Sequence, residues 1–129
     1  EGVAKGLPSG AHGSTFGGNP VAAAAANAAL SLIRSDVMLG SIRKKGDHFL
    51  SGARSLMARH PEQVTQVRGR GLLMGVELAG DAAATVARCR EGGLLVNLAG
   101  EKTVRFAPPF IVTFEELDAG LRILENALE

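Results

Sequence analysis

Two apolar stretches, residues 64–68 and 72–78, are separated only by Gly69-Arg70-Gly71, and this spacing constrains the fold more than any other feature of the chain. A link that short lets neighbouring strands pair only antiparallel, since a parallel crossover needs roughly a dozen residues or more. Leu72 and Leu73 make both faces apolar at the start of the second stretch, so its alternation is imperfect. A second pair of stretches follows, 94–98 and 103–106, joined by the polar turn Ala99-Gly100-Glu101-Lys102 and closed by Pro108-Pro109. Between the two pairs lies one short helical segment, capped by Asp81 and stopped at Gly92-Gly93, where glycine permits a left-handed ending.

Helices flank these strands. Asn19 is a good N-cap and Pro20 suits the first helical position, so a helix runs from Pro20 to about Arg34. It is mostly alanine, the best helix former, and apolar most of the way round, which predicts burial in something larger. Asp36 caps a second helix reaching about Arg59, where His60-Pro61 ends it. Leu39, Ile42, Phe49, Ala53, Leu56 and Met57 share one face of it, while Gly46 and Gly52 each weaken it by about 1 kcal/mol relative to alanine. The last helix has the clearest start signal, with Thr113 and Glu116 forming a capping box and Val112 and Leu117 at staple positions. Leu117, Leu121, Leu124 and Leu128 continue its buried stripe. The expected architecture is therefore α+β, a small and largely antiparallel sheet covered by helices.

Composition narrows the function classes. With 129 residues there is material for one core, and a net charge of +1 gives no field to attract nucleic acid or a membrane surface. No apolar run approaches the roughly 20 residues of a spanning helix. One cysteine, Cys89, rules out an internal disulfide and a multi-cysteine metal site and fits a reducing compartment, with the cytoplasm as the default. The start at Glu1-Gly2-Val3 reads as part of a longer chain.

One loop carries chemistry. His12-Gly13-Ser14-Thr15-Phe16-Gly17-Gly18-Asn19-Pro20 places three glycines and two neighbouring hydroxyls just before a helix. Such a loop suits an anion, and a phosphate above all, although a plain turn ahead of an N-cap has the same composition. Gly69 to Gly75 superficially resembles a dinucleotide loop, but the spacing is wrong and no helix begins there.

Three motifs in order carry a resemblance. Residues 12–20 resemble the signature loop of the class III (ornithine-type) pyridoxal-phosphate aminotransferases. Val67-Arg68-Gly69-Arg70-Gly71-Leu72-Leu73 resembles the first strand pair of that family's C-terminal domain, and Val104-Arg105-Phe106-Ala107-Pro108-Pro109 its later strand. The wording is closest to the acetylornithine-type branch, with ornithine, succinylornithine, 4-aminobutyrate and succinyl-diaminopimelate branches as alternatives. A stand-alone dimerisation module that lost catalysis is the alternative of another class.

The resemblance implies a fold-type I homodimer with its active site at the subunit interface and pyridoxal 5'-phosphate as cofactor. Residues 1–35 would be the edge of the large cofactor domain and 36–129 the small C-terminal domain. Thr15 would hydrogen-bond the cofactor phosphate of the other subunit, and Ser14 beside it would contact phosphate or substrate. Arg105 would bind a substrate carboxylate, for which a planar, permanently charged guanidinium is suited. No catalytic residue is assigned. The Schiff-base lysine has no match, because Lys5 lies too close to Thr15 for the family's spacing. The aspartate partner of the pyridine nitrogen has none either. Arg68 and Arg70 read as surface or hinge residues, His12 as structural, His48 and His60 as surface or helix-end residues, Cys89 as no nucleophile, and Glu77 receives no role.

Overall fold

A computed structural model describes Gly6, Gly10 and residues 13–128 of the chain. Its elements run α1 (Pro20–Ile33), α2 (Asp36–Arg59), β1 (Val64–Arg70), β2 (Leu73–Leu78), α3 (Ala83–Glu91), β3 (Asn97–Ala99), β4 (Thr103–Phe106) and α4 (Phe114–Asn126). Contacts divide the chain into two units, Glu1–Ser35 and Asp36–Glu129.

In the first unit α1 begins where local chemistry says it should. The Asn19 side chain accepts from the Ala22 N–H at 2.9 Å, and Pro20 occupies the first turn, where its missing N–H leaves nothing unpaired. None of the residues of α1 is buried.

The second unit is built on one four-stranded sheet in the order β1-β2-β4-β3, with every neighbouring pair antiparallel. The three-residue link does force a hairpin, but β1 extends through Arg70 and only Gly71 and Leu72 turn the chain, with Gly71 at φ +56°. Leu72 is buried while Leu73 is exposed, so the two leucines go to opposite faces. One face of the sheet carries Val64, Met74, Val76, Leu78, Val104 and Phe106 into the core, where they meet Phe49, Ala53 and Leu56 of α2 and Leu117, Leu121 and Leu124 of α4. Phe49 and Phe106 pack ring to ring with centroids 4.8 Å apart.

Several expectations need correction. The strand expected at 94–98 forms only as Asn97–Ala99, because Leu94 is drawn back to the helices, close to Gly120. Asp81 is not the N-cap of α3; Ala82 holds that position, although the Asp81 carboxylate still accepts from the Ala83 N–H at 2.8 Å. Gly46 is no weak point. A Cβ there would stand 2.3 Å from the Gly71 carbonyl oxygen, so α2 lies on the β1–β2 turn only because the position has no side chain. The capping box of α4 forms as read, with Thr113 Oγ1 accepting from the Glu116 N–H at 3.1 Å and Glu116 Oε2 accepting from the Thr113 N–H at 2.7 Å.

Candidate active-site surfaces

Two surfaces bear the residues singled out by sequence, one on each unit. The first is the loop ahead of α1. Ser14 Oγ accepts from the Gly17 N–H at 2.8 Å, which closes a tight turn and leaves the hydroxyl proton free to donate outward. A Cβ at Gly17 would lie 2.8 Å from that oxygen, and Gly18 sits at φ +77°, so both glycines are needed for this turn. Thr15 is exposed in the bend and its hydroxyl has no partner among the described residues. Two exposed hydroxyls beside glycines form a donor set that fits a phosphate group. Lys5 and His12 lie outside the described residues.

The second surface is the outer face of the sheet. The strand register places Arg68 on β1 opposite Gly75 on β2, Gly75 opposite Arg105 on β4, and Arg105 opposite Asn97 on β3. The row beside it runs Gln66, Glu77, Thr103 and Ala99, and Arg70 faces Leu73 on the other side. Gly75 leaves a gap between the two flanking arginines. Its floor is tight, since a Cβ there would meet Thr103 Cγ2 at 2.9 Å. Over that gap opens a groove of about 380 Å³ lined by Arg68, Arg70, Leu73, Gly75, Thr103 and Arg105, among others.

The three guanidiniums of the groove are in different states. Arg68 is tied down: it forms an ion pair with Glu77, donates to Gln66 Oε1 at 2.8 Å, and donates to Thr103 Oγ1 at 2.8 Å. Arg70 and Arg105 are exposed, and their guanidiniums have no hydrogen bond or ion pair among the described residues. Arg105 thus offers an uncommitted planar fork at the edge of a small groove, the arrangement that recognises a carboxylate.

The sequence reading of Arg68 as a surface or hinge residue and of Glu77 as unassigned missed their pairing. Alternation places Arg68 and Arg70 on one face, but which residue of β2 lies across from them depends on register. The other candidates stay where they were read. Cys89 is buried, and burial pushes its thiol up, which disfavours the nucleophilic thiolate. His48 contacts Asp118 at 2.7 Å and His60 contacts Glu125 at 2.9 Å, both holding α2 to α4. No group of three or more metal-ligating side chains occurs among the described residues.

Comparison with known proteins decides what these surfaces belong to. The family model for aminotransferase class-III matches residues 1–128. The chain belongs to the class-III aminotransferase family. An acetylornithine aminotransferase from Myxococcus xanthus is 53% identical over 113 residues, covering 87% of this chain and 28% of its own length. Among solved structures, acetylornithine aminotransferase from Elizabethkingia anophelis superposes with a TM-score of 0.78 at 32% identity, covering 98% of this chain and 32% of its own. Ornithine aminotransferase from Toxoplasma gondii, whose structure has partial occupancy of PLP at its active site, gives 0.78 and 32%, covering 98% and 31%. This class-III aminotransferase chain therefore has the fold of the corresponding segment of fold-type I enzymes, and it spans about three tenths of the length of the relatives it matches.

Proposed function

We propose that the chain is the C-terminal part of a pyridoxal-phosphate-dependent aminotransferase that moves the δ-amino group of N-acetylornithine to 2-oxoglutarate, a step of arginine biosynthesis. The 53% identity to the Myxococcus xanthus acetylornithine aminotransferase carries this reading. In it, residues 1–35 are the edge of the large cofactor domain and residues 36–129 are the small domain. The enzyme is a homodimer of the cytoplasm with its active site between subunits.

On this reading Thr15 donates its free hydroxyl to the cofactor phosphate of the neighbouring subunit, and Ser14, its oxygen already accepting from Gly17, donates to phosphate or substrate. When bound, the cofactor supplies an electron sink for the carbon that carries the amino group. This chain's own contribution is to bind and orient. Arg105 holds a substrate carboxylate through a bidentate contact, and its permanent charge serves the amino acid and the oxo acid alike. No residue of the chain matches the Schiff-base lysine, so by itself the chain does no chemistry.

The likeness to the Toxoplasma gondii ornithine aminotransferase favours free ornithine as the second reading. Initial rates of the intact enzyme with N-acetylornithine and with ornithine, each against 2-oxoglutarate, separate the two. The expected result is a kcat/KM for the acetylated substrate at least about tenfold higher, a difference of roughly 1.4 kcal/mol in transition-state binding. A preference for ornithine would replace the first reading by the second, and no turnover of either would sink both.

A further inference from the structure

The Arg68 side chain reaches across three strands. Its own strand, β1, is separated from β4 by β2, so the two backbones lie about 10 Å apart. Arg68 Nη2 nevertheless donates to Thr103 Oγ1 of β4 at 2.8 Å, while Nη1 donates to Gln66 Oε1 at 2.8 Å and pairs with Glu77. The crossing is made at Gly75 of β2, whose cross-strand partners are Arg68 on one side and Arg105 on the other. A Cβ at Gly75 would stand 2.9 Å from Thr103 Cγ2 and 3.9 Å from Arg68 Cγ, so these two side chains fill the space that a larger residue would take. Thr103 is buried where they meet.

The strand that receives this contact is short of other support. β4 has four residues, and its neighbour on the far side, β3, is an edge strand of three. Thr103 is the first residue of β4, and Arg105, two positions on, projects from the same face. A hydrogen bond from a charged donor to Thr103 therefore ties the strand beside Arg105 to the longer β1–β2 hairpin. We infer that Arg68 and Thr103 are positioning residues for the proposed carboxylate site: their contact straps β4 in place and with it the backbone from which Arg105 reaches a substrate carboxylate. A bidentate contact tolerates little displacement of its base, so a loosened β4 weakens carboxylate binding. The loop at Ser14 and Thr15 belongs to the other unit and keeps its own hydrogen bonds. The inference rests on the reading of Arg105 as the carboxylate-binding residue. The strap acts on β4 itself, so it holds whatever Arg105 contacts before substrate arrives.

Thr103→Val removes the accepting hydroxyl at nearly constant shape and leaves the Arg68–Glu77 pair in place, so it cuts the strap alone. Glutarate, a dicarboxylate that cannot accept an amino group, is the probe. Its dissociation constant in the intact enzyme is measured by calorimetry, beside cofactor retention, thermal unfolding and the kinetics with 2-oxoglutarate. Thr103→Val should weaken glutarate by roughly fivefold, with the kinetic loss falling on KM rather than kcat and with cofactor retention as in the parent. Thr103→Ser, which restores the hydroxyl, should bind within about twofold of the parent. Arg68→Met keeps the stem over Gly75 without its donors, and the double variant Arg68→Met/Thr103→Val should match Arg68→Met within about twofold, because both changes cut one contact. Parent-like binding by Thr103→Val, no rescue by Thr103→Ser, or fully additive losses in the double variant overturns the inference and leaves the Arg105 reading standing. A glutarate loss matched by cofactor loss and a lowered unfolding temperature is general loosening and overturns it too. Arg105→Ala is the control and should weaken glutarate by roughly tenfold or more; unchanged binding there overturns that reading and the inference with it. If Thr103→Val unfolds below the assay range, Arg68→Met/Glu77→Gln is compared with Glu77→Gln alone. Binding weaker by roughly threefold or more supports the strap, and equal affinities overturn it.

Discussion

Thr15 and Arg105 are alike in having polar groups that the described residues leave unpartnered, and that is what gives them room for a ligand. For Thr15 the surrounding turn is set by the Ser14–Gly17 hydrogen bond, so its removal should leave the loop intact. Thr15→Ala in the intact enzyme is expected to weaken cofactor retention by roughly tenfold, the worth of one hydrogen bond to a charged group. Dialysis followed by absorbance of the bound cofactor reads this directly, and unchanged retention would remove Thr15 from the phosphate site. At this scale legibility followed locality. Ser14, Gly17 and Asn19 act on residues three positions away, so the turn and the N-cap were readable from the loop's own composition, whereas its phosphate role rests on the family resemblance. Arg68 and Glu77 are nine positions apart and meet only through the β1–β2 register, so neither showed its role in the sequence.

Among elements, side-chain ion pairs tie α2 and its C-terminal end to α4. Glu125 near the end of α4 accepts from Arg59 Nε and Nη2, both at 2.9 Å, and contacts His60 Nε2 at 2.9 Å. Hydrogen bonds from Arg59 and then from His60 hold the Glu125 carboxyl down to about 2, from an ordinary value of 4.5. A carboxyl lowered on folding adds stability that is fully present above its unfolded value and is lost as pH falls toward the folded one. Thermal unfolding of the chain and of Glu125→Gln should therefore differ most above pH 4.5, and the gap should close as pH falls toward about 2. A gap independent of pH would mean that the ion pairs contribute nothing beyond packing. The α2 and α4 spans and the α4 cap were readable because caps and helical stripes are local patterns. The shift of the third strand from 94–98 to Asn97–Ala99 was not, since Leu94 answers to its packing beside α4 rather than to strand propensity.

At the scale of the molecule, every described residue of the hydrophobic core lies between Phe49 and Leu128, and α1 buries none of its own. Residues 36–129 should accordingly fold without the first 35, with an unfolding free energy within about 1 kcal/mol of the full chain. Urea unfolding of both chains tests this, and loss of a cooperative transition in the shorter one would contradict it. The helices, the hairpin forced by a three-residue link, the α+β class and the loop at 13–19 were determined by the sequence itself, since each rests on contacts within a few residues. Tertiary structure alone decided that Gly46 must be glycine beneath Gly71, that Leu72 and Leu73 part to opposite faces, and that Glu77 goes to Arg68. Those outcomes depend on register and on the close approach of distant segments, which no local pattern encodes.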